Sequence, residues 1–197
     1  MVAERKRVLV TGGAGYIGSH AAKALSRSGY DVVVLDNLVA GHREAVKFGP
    51  LVEADILDTS AVRLALREHQ IWAVMHFAAF LDVGESVREP AKYYRNNVNG
   101  ALSALEAMSL EGVKHFVFSS TCATYGEPIE TPISESHPQH PINSYGESKL
   151  AVERALPHFE RAFGIHSVAL GVPLLDEAMR DARLGLDTPV PQNPERP

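Results

Sequence analysis

The chain has almost no sulfur chemistry available to it. Of its 197 residues one, Cys122, is a cysteine. A lone thiol cannot close an intramolecular disulfide, so the fold must rest on its core, and this usage fits a reducing cytoplasm. Long apolar runs are also missing, and no stretch approaches the roughly 18 apolar residues of a membrane span. The charged opening Glu4-Arg5-Lys6-Arg7 leads straight into a strand pattern, which argues against a secretory signal. Charge of one sign is not in excess. With 19 basic and 24 acidic residues the net charge is −5, so no broad basic field directs the chain to nucleic acid or to an anionic membrane. No metal site is expected. What is present is an ordinary globular composition, 45% hydrophobic and 22% charged, long enough to bury a core. At about 150 residues per domain, the length predicts one domain.

Short β-branched runs alternate with segments of helical period. The strand-like runs are 7–11, 31–35, 51–54, 71–76, 115–119 and 165–170. Several, such as Val32-Val33-Val34-Leu35, are continuously apolar, which suits strands buried on both faces. Helices are expected over 17–27, 60–69, 91–109 and 145–163, with Gly29 and Gly112 just past two of their ends. This alternation predicts an α/β fold with a doubly wound parallel sheet in strand order 3-2-1-4-5-6. Composition shifts after Leu170, since five of the twelve prolines fall in the last 27 residues. Residues 1–170 therefore read as the domain. Residues 171–197 read as a short helix over 176–184 followed by a proline-rich tail.

The strongest motif is Val10-Thr11-Gly12-Gly13-Ala14-Gly15-Tyr16-Ile17-Gly18. It follows a buried strand and opens a helix, the context that a dinucleotide-binding turn requires. Gly13 is expected to make the tight turn, Gly15 to admit a pyrophosphate and Gly18 to let helix and strand pack. Gly12, Tyr16 and Ile17 complete the segment, whose helix N-terminus offers N–H groups and partial positive charge to phosphates. A glycine turn without a ligand is the plain alternative, and the next residue weighs against it. Asp36 stands eighteen positions past Gly18, at the end of the second strand. A carboxylate there accepts both hydroxyls of an adenosine ribose and repels a 2′-phosphate, which favours NAD over NADP. Nearby His42 and Arg43 would soften that preference. Asn37 follows directly. Asp55 and Ile56 close the third strand and border the adenine in this reading, a plain turn being an equal alternative for Asp55.

Tyr145 and Lys149 form a second constellation, four apart and so on one helix face. A phenol of pKa near 10 is a poor base, and lowering it about three units takes roughly 4 kcal/mol, which an adjacent ammonium helps to supply. With six tyrosines and six lysines in the chain the pair alone is a weak signal. It gains weight from Ser119-Ser120-Thr121 at the end of the preceding strand, where open α/β sheets hold their ligands.

Seven segments in order carry a resemblance: 11–20 (TGGAGYIGSH), 35–38 (LDNL), 76–79 (HFAA), 83–87 (VGESV), 93–100 (YYRNNVNG), 118–126 (FSSTCATYG) and 144–150 (SYGESKL). Together they resemble the extended short-chain dehydrogenase/reductases of the NAD-dependent epimerase/dehydratase family, and within it the UDP-glucose 4-epimerases, over roughly residues 7–170. The resemblance implies a Rossmann fold, a tightly held NAD and a UDP-sugar substrate. A phenolate takes the proton of the sugar 4-hydroxyl while hydride leaves C4; the 4-keto sugar turns over and hydride returns to its opposite face. Carried over, Tyr145 resembles the base and Lys149 the ribose-binding lysine that lowers its pKa. Thr121 resembles the hydroxyl partner, and Ser119 joins the cofactor contacts. Phe77, Ala78 and Ala79 resemble the loop along the cofactor, and Asn97 the asparagine that steadies the active-site helix. The resemblance also implies a homodimer through helices 91–109 and 145–163.

Two departures stand out. Phe80-Leu81-Asp82 lacks the lysine that many members place in this loop, and Gly171-Val172-Pro173 stands where the family continues Arg-Tyr-Phe-Asn. Three functions fit the sequence: a truncated UDP-sugar 4-epimerase, a short-chain oxidoreductase of small alcohols or ketones, and an inactive NAD-binding module. An epimerase needs NAD only catalytically, whereas a dehydrogenase consumes it with product.

Overall fold

The structure, a computed structural model, describes residues 5–171. The helix expected over 176–184 and the proline-rich tail lie outside the described residues. Six strands, β1 (Arg7–Thr11), β2 (Asp31–Asp36), β3 (Leu51–Glu53), β4 (Ala73–His76), β5 (His115–Ser119) and β6 (His166–Leu170), form one sheet in the order β3-β2-β1-β4-β5-β6. Every neighbouring pair is parallel. The expected doubly wound order is therefore the one that forms. The chain steps outward from β1 to β3 and then returns to the other side of β1 as β4. That reversal opens a crevice at the strands' carboxyl ends.

The continuously apolar strands divide their side chains between two cores. Val8, Val10, Val32 and Val34 pack with Ala22 of α1 (Tyr16–Arg27) on one face. Leu9, Val33, Leu35, Val74, Phe116 and Phe118 face the other, against α2 (Thr59–Glu68), α5 (Asn99–Glu111) and α6 (Ser144–Phe163). Each fully buried side chain of this size contributes about 1.5–3 kcal/mol. On the α1 side of β6, register places Val168, which is 55% exposed. Helix ends follow local chemistry. Asp58 caps α2 by accepting from Ala61 N at 3.0 Å, and Gly29 and Gly112 take positive φ after α1 and α5.

Three elements differ from expectation. Ile71 is buried but closes α2, its N–H reaching the Leu66 carbonyl at 2.9 Å, so β4 starts two residues later than the apolar run. A short α3 (Val83–Arg88) forms because Asp82 accepts from Glu85 N at 2.6 Å, a cap within a motif too short to show helical period. The single helix expected over 91–109 is instead α4 (Pro90–Tyr93), a π-helical turn Tyr94–Val98 and α5. The wide turn brings Asn97 into a buried position where its amide is fully used. Such turns shift helical phase by one residue, which apolar periodicity does not register.

Candidate functional site

A cavity of about 610 Å³ runs from the glycine turn to α6 along the carboxyl ends of the central strands. Its floor begins at Gly12, whose N–H reaches the Leu35 carbonyl at 2.8 Å. Gly12 holds φ +68°, and a Cβ there would stand 2.6 Å from Ala78 N. The left-handed residue is therefore Gly12, while Gly13 stands inside the tight turn that the Gly15 N–H closes on the Gly12 carbonyl at 3.1 Å. Gly13 excludes a side chain for another reason: a Cβ would meet Val34 Cγ1 at 2.8 Å. Gly18 has its expected packing role, because a Cβ would overlap the Gly12 carbonyl oxygen. No side chain caps α1, and Gly15, Tyr16, Ile17 and Gly18 at its start all line the cavity. Uncapped helical N–H groups facing a cavity form a site for anionic oxygen.

Asp36 is buried beside this turn. Its Oδ2 accepts from Ala14 N at 2.9 Å and its Oδ1 from Leu38 N at 2.8 Å. A carboxylate has about four acceptor positions, so two stay open toward the cavity for a vicinal diol. Asn37 and Ile56 also line the cavity, but Asp55 does not. Asp55 is exposed and accepts from Leu57 N at 2.9 Å and Asn37 Nδ2 at 3.1 Å, which makes it a turn and a brace for Asn37. The side chain of Arg43 pairs with Glu53, and the His42 N–H is held by the Ala14 carbonyl at 2.9 Å. The loop through Val39, Ala40 and Gly41 forms a wall of the cavity that motif spacing did not indicate. Gly41 carried the signal, for a Cβ there would stand 2.7 Å from the Ala14 side chain.

Phe77, Ala78 and Ala79 line the cavity just beyond β4, together with Phe80 and Leu81. Asn97 is not a lining residue. Its Oδ1 accepts from Phe80 N at 2.9 Å, while Nδ2 donates to the Phe80 carbonyl at 3.0 Å and to Ser148 Oγ at 3.1 Å. Asn97 thus ties the loop after β4 to α6. Its neighbour Asn96, which does line the cavity, had no motif role.

At the far end, Ser119, Tyr145 and Lys149 line the same cavity. Asn143 caps α6 by accepting from Gly146 N at 2.8 Å, which fixes the start of the helix and the face it presents. Lys149 is 3% exposed, and its Nζ donates to the Ser119 carbonyl at 2.8 Å. Burial lowers its pKa to about 8, with the Glu153 carboxylate pulling upward. Tyr145 behaves otherwise than the sequence implied. Burial raises the phenol above its ordinary 10, and the opposing pull is a hydrogen bond with Thr121, not the lysine. The ammonium is turned to the Ser119 carbonyl, so the phenol meets desolvation without a paired charge. Thr121 does not line the cavity but reaches it through Tyr145. Among the described residues no three His, Cys, Asp or Glu side chains converge to hold a metal ion.

Residues 8–174 match the NAD dependent epimerase/dehydratase family. The chain belongs to that family. Among curated relatives, the UDP-glucose 4-epimerase of Rhizobium leguminosarum bv. trifolii is 50% identical over 163 residues, which are 83% of this chain and 50% of the relative. The crystal structure of UDP-glucose 4-epimerase from Brucella ovis in complex with NAD is 51% identical, with TM-score 0.83 over 84% of this chain and 51% of that one. The Thermotoga maritima UDP-glucose 4-epimerase with UDP-glucose is 39% identical, with TM-score 0.80 over 84% and 54%. The chain spans about half the length of the relatives it matches.

Proposed function

We propose that this family member binds NAD in the cavity and interconverts UDP-sugars at C4. The observation that carries the reading is continuity: the cavity that Gly12, Gly15 and Asp36 line also holds Tyr145 and Lys149. The residues fit the cofactor. Side chains are sterically excluded at Gly12 and Gly18, α1 presents uncapped N–H groups, and Asp36 keeps acceptor positions free. When bound, the oxidised dinucleotide supplies the hydride acceptor and a positive charge that favours the phenolate. Gly15 to Gly18 would hold its pyrophosphate, Asp36 the adenosine ribose, and Lys149 the second ribose. The Tyr145 Oη accepts the proton of the sugar 4-hydroxyl and later returns it. Thr121 steadies that oxygen in both states. Phe77, Ala78 and Phe80 wall the cavity with apolar surface, which limits access of water to the reacting carbon.

The substrate class is supported by relatives near 50% identical that are UDP-glucose 4-epimerases. The reading includes a homodimer through α5 and α6, which sedimentation velocity reads directly, and a cytoplasmic location, consistent with one exposed free thiol at Cys122. No helix among the described residues is long and apolar enough to cross a membrane. The deciding experiment incubates the NAD-loaded protein with UDP-galactose, and separately with NAD and simple alcohols. UDP-glucose formation without net NADH supports the proposal. NADH accumulating in step with product points to a dehydrogenase instead, and no turnover of either kind to a binding module.

A further inference from the structure

Two consecutive residues at the end of β5 each hold one residue of a single stripe on α6. The Ser119 carbonyl takes Lys149, and the Ser120 hydroxyl donates to Glu153. A spacing of four places Tyr145, Lys149 and Glu153 on one helix face. The reaction proposed above uses the first two and leaves Glu153 without work. Its other carboxylate oxygen accepts from Gln139 Nε2 at 2.8 Å. Gln139 belongs to the loop of residues 125–143, which leaves shortly after Thr121 and returns just before Tyr145. That loop is braced from within. Ile129 N–H donates to His137 Nε2 at 3.0 Å, while His137 Nδ1 lies 2.8 Å from the Pro138 carbonyl oxygen. Gly126 packs so tightly on the His140 carbonyl that no side chain fits. A braced loop presents Gln139 in a fixed place, so its bond to Glu153 fastens the whole segment to α6.

We propose that Glu153 is a positioning residue that fastens the loop of residues 125–143 to the Tyr145–Lys149 face of α6 and supplies the counter-charge of Lys149. The proposal rests on the epimerase reading of the same cavity. Its electrostatic half follows from what surrounds Lys149. From β4 comes His76, kept neutral because burial lowers its pKa to about 3. From β5 come the Ser119 carbonyl and the Phe118 ring, 4.9 Å from Nζ. From α6 itself come Tyr145 and Glu153. Of these, Glu153 carries the negative charge, and it opposes the burial that draws the proton off Lys149. Tyr125 at the start of the loop feels burial and then the same carboxylate, both of which hold its phenol neutral. Charge and tether are thus two jobs of one side chain, and different variants separate them.

The test follows Lys149 directly, by carbon-13 NMR of the full chain grown with ε-labelled lysine, the resonance assigned by its loss in Lys149→Met. In the wild type the Lys149 signal is expected to titrate near pH 8. In Glu153→Gln it titrates at lower pH, because the opposing carboxylate is gone. Glu153→Asp keeps the charge and restores the wild-type position. Gln139→Leu leaves the titration in place, since it removes only the tether. On UDP-galactose, Glu153→Gln lowers kcat about 10-fold, the order expected for a lost hydrogen bond to a charged group, and moves the alkaline limb of the rate profile to lower pH. A merely structural glutamate would lower Tm and kcat without moving either titration. An unmoved Lys149 signal in Glu153→Gln overturns the proposal. A signal that moves in Glu153→Gln while the wild type turns over no UDP-sugar faults the epimerase reading and leaves the coupling standing.

Discussion

At the Gly12–Asp36 end of the cavity the protein makes its contacts by leaving side chains out; at the Tyr145 end it makes them by burying polar ones. The first end is backbone: a left-handed turn at Gly12, a helix start with no cap, and a carboxylate held by two main-chain N–H groups. The second end is a set of desolvated side chains, Thr121, Tyr145 and Lys149, with Lys149 anchored to the last residue of β5. The difference separates the two tasks. Steric exclusion sets where a ligand lies and is indifferent to pH, whereas buried titratable groups set what happens to it and are not.

That contrast is broken most sharply by Tyr145→Phe. The variant removes one oxygen from the chemical end, so turnover of UDP-galactose should fall about 10³-fold. NAD affinity and Tm should stay at their wild-type values. Loss of NAD binding in this variant, read by calorimetric titration, would show that the two ends are not separable. Gly18→Val attacks the other end, where its side chain would overlap the Gly12 carbonyl. Overpacking of this kind costs about 3 kcal/mol, or roughly 6–12 °C in Tm, and NAD binding should be lost with it. Asp36→Ala is milder. It frees two N–H groups from a charged acceptor, which costs about 2 kcal/mol of stability by denaturant unfolding. It should also weaken NAD more than NADP, narrowing the preference between them.

The smallest effect is electrostatic and tests the chemical end alone. Lys149 has a folded pKa of about 8 against 10.5 unfolded. Between those values the unfolded chain holds the extra proton. Stability is therefore gained as pH rises from about 8 toward 10.5 and lost as pH falls through about 8. Denaturant unfolding of wild type and Lys149→Met at pH 8 and pH 9 should show the difference moving by about 1 kcal/mol in the wild type's favour. An unchanged difference would mean that the ammonium is not desolvated.

Legibility followed the same division. The steric end shows in the sequence because it consists of residue types at fixed spacing: glycines after an apolar strand, then an acid at the end of the next strand. Even so, spacing put Gly13 in the tight turn without showing that the positive φ belongs to Gly12, which the approach of Ala78 N reveals. The wall at Val39 to Gly41 and the turn role of Asp55 depend on how a loop folds back, which local pattern does not encode. The strand order was legible because continuous apolar runs separated by helices allow few arrangements. The π-turn that delivers Asn97 was not, because the partner it serves, Phe80, lies seventeen residues away. At the chemical end the pair Tyr145–Lys149 was visible, but its electrostatics were not. The sequence puts an ammonium near a phenol, while the fold aims it at a carbonyl.

The central claim is that both ends act on one bound pair of molecules, with hydride leaving and returning to the same sugar carbon. It is tested most directly by giving the NAD-loaded protein UDP-galactose deuterated at C4 and recovering the UDP-glucose formed. The account predicts that deuterium is retained at C4 of the product while no free NADH accumulates. Solvent hydrogen at C4, or deuterium appearing in released NADH, would contradict it.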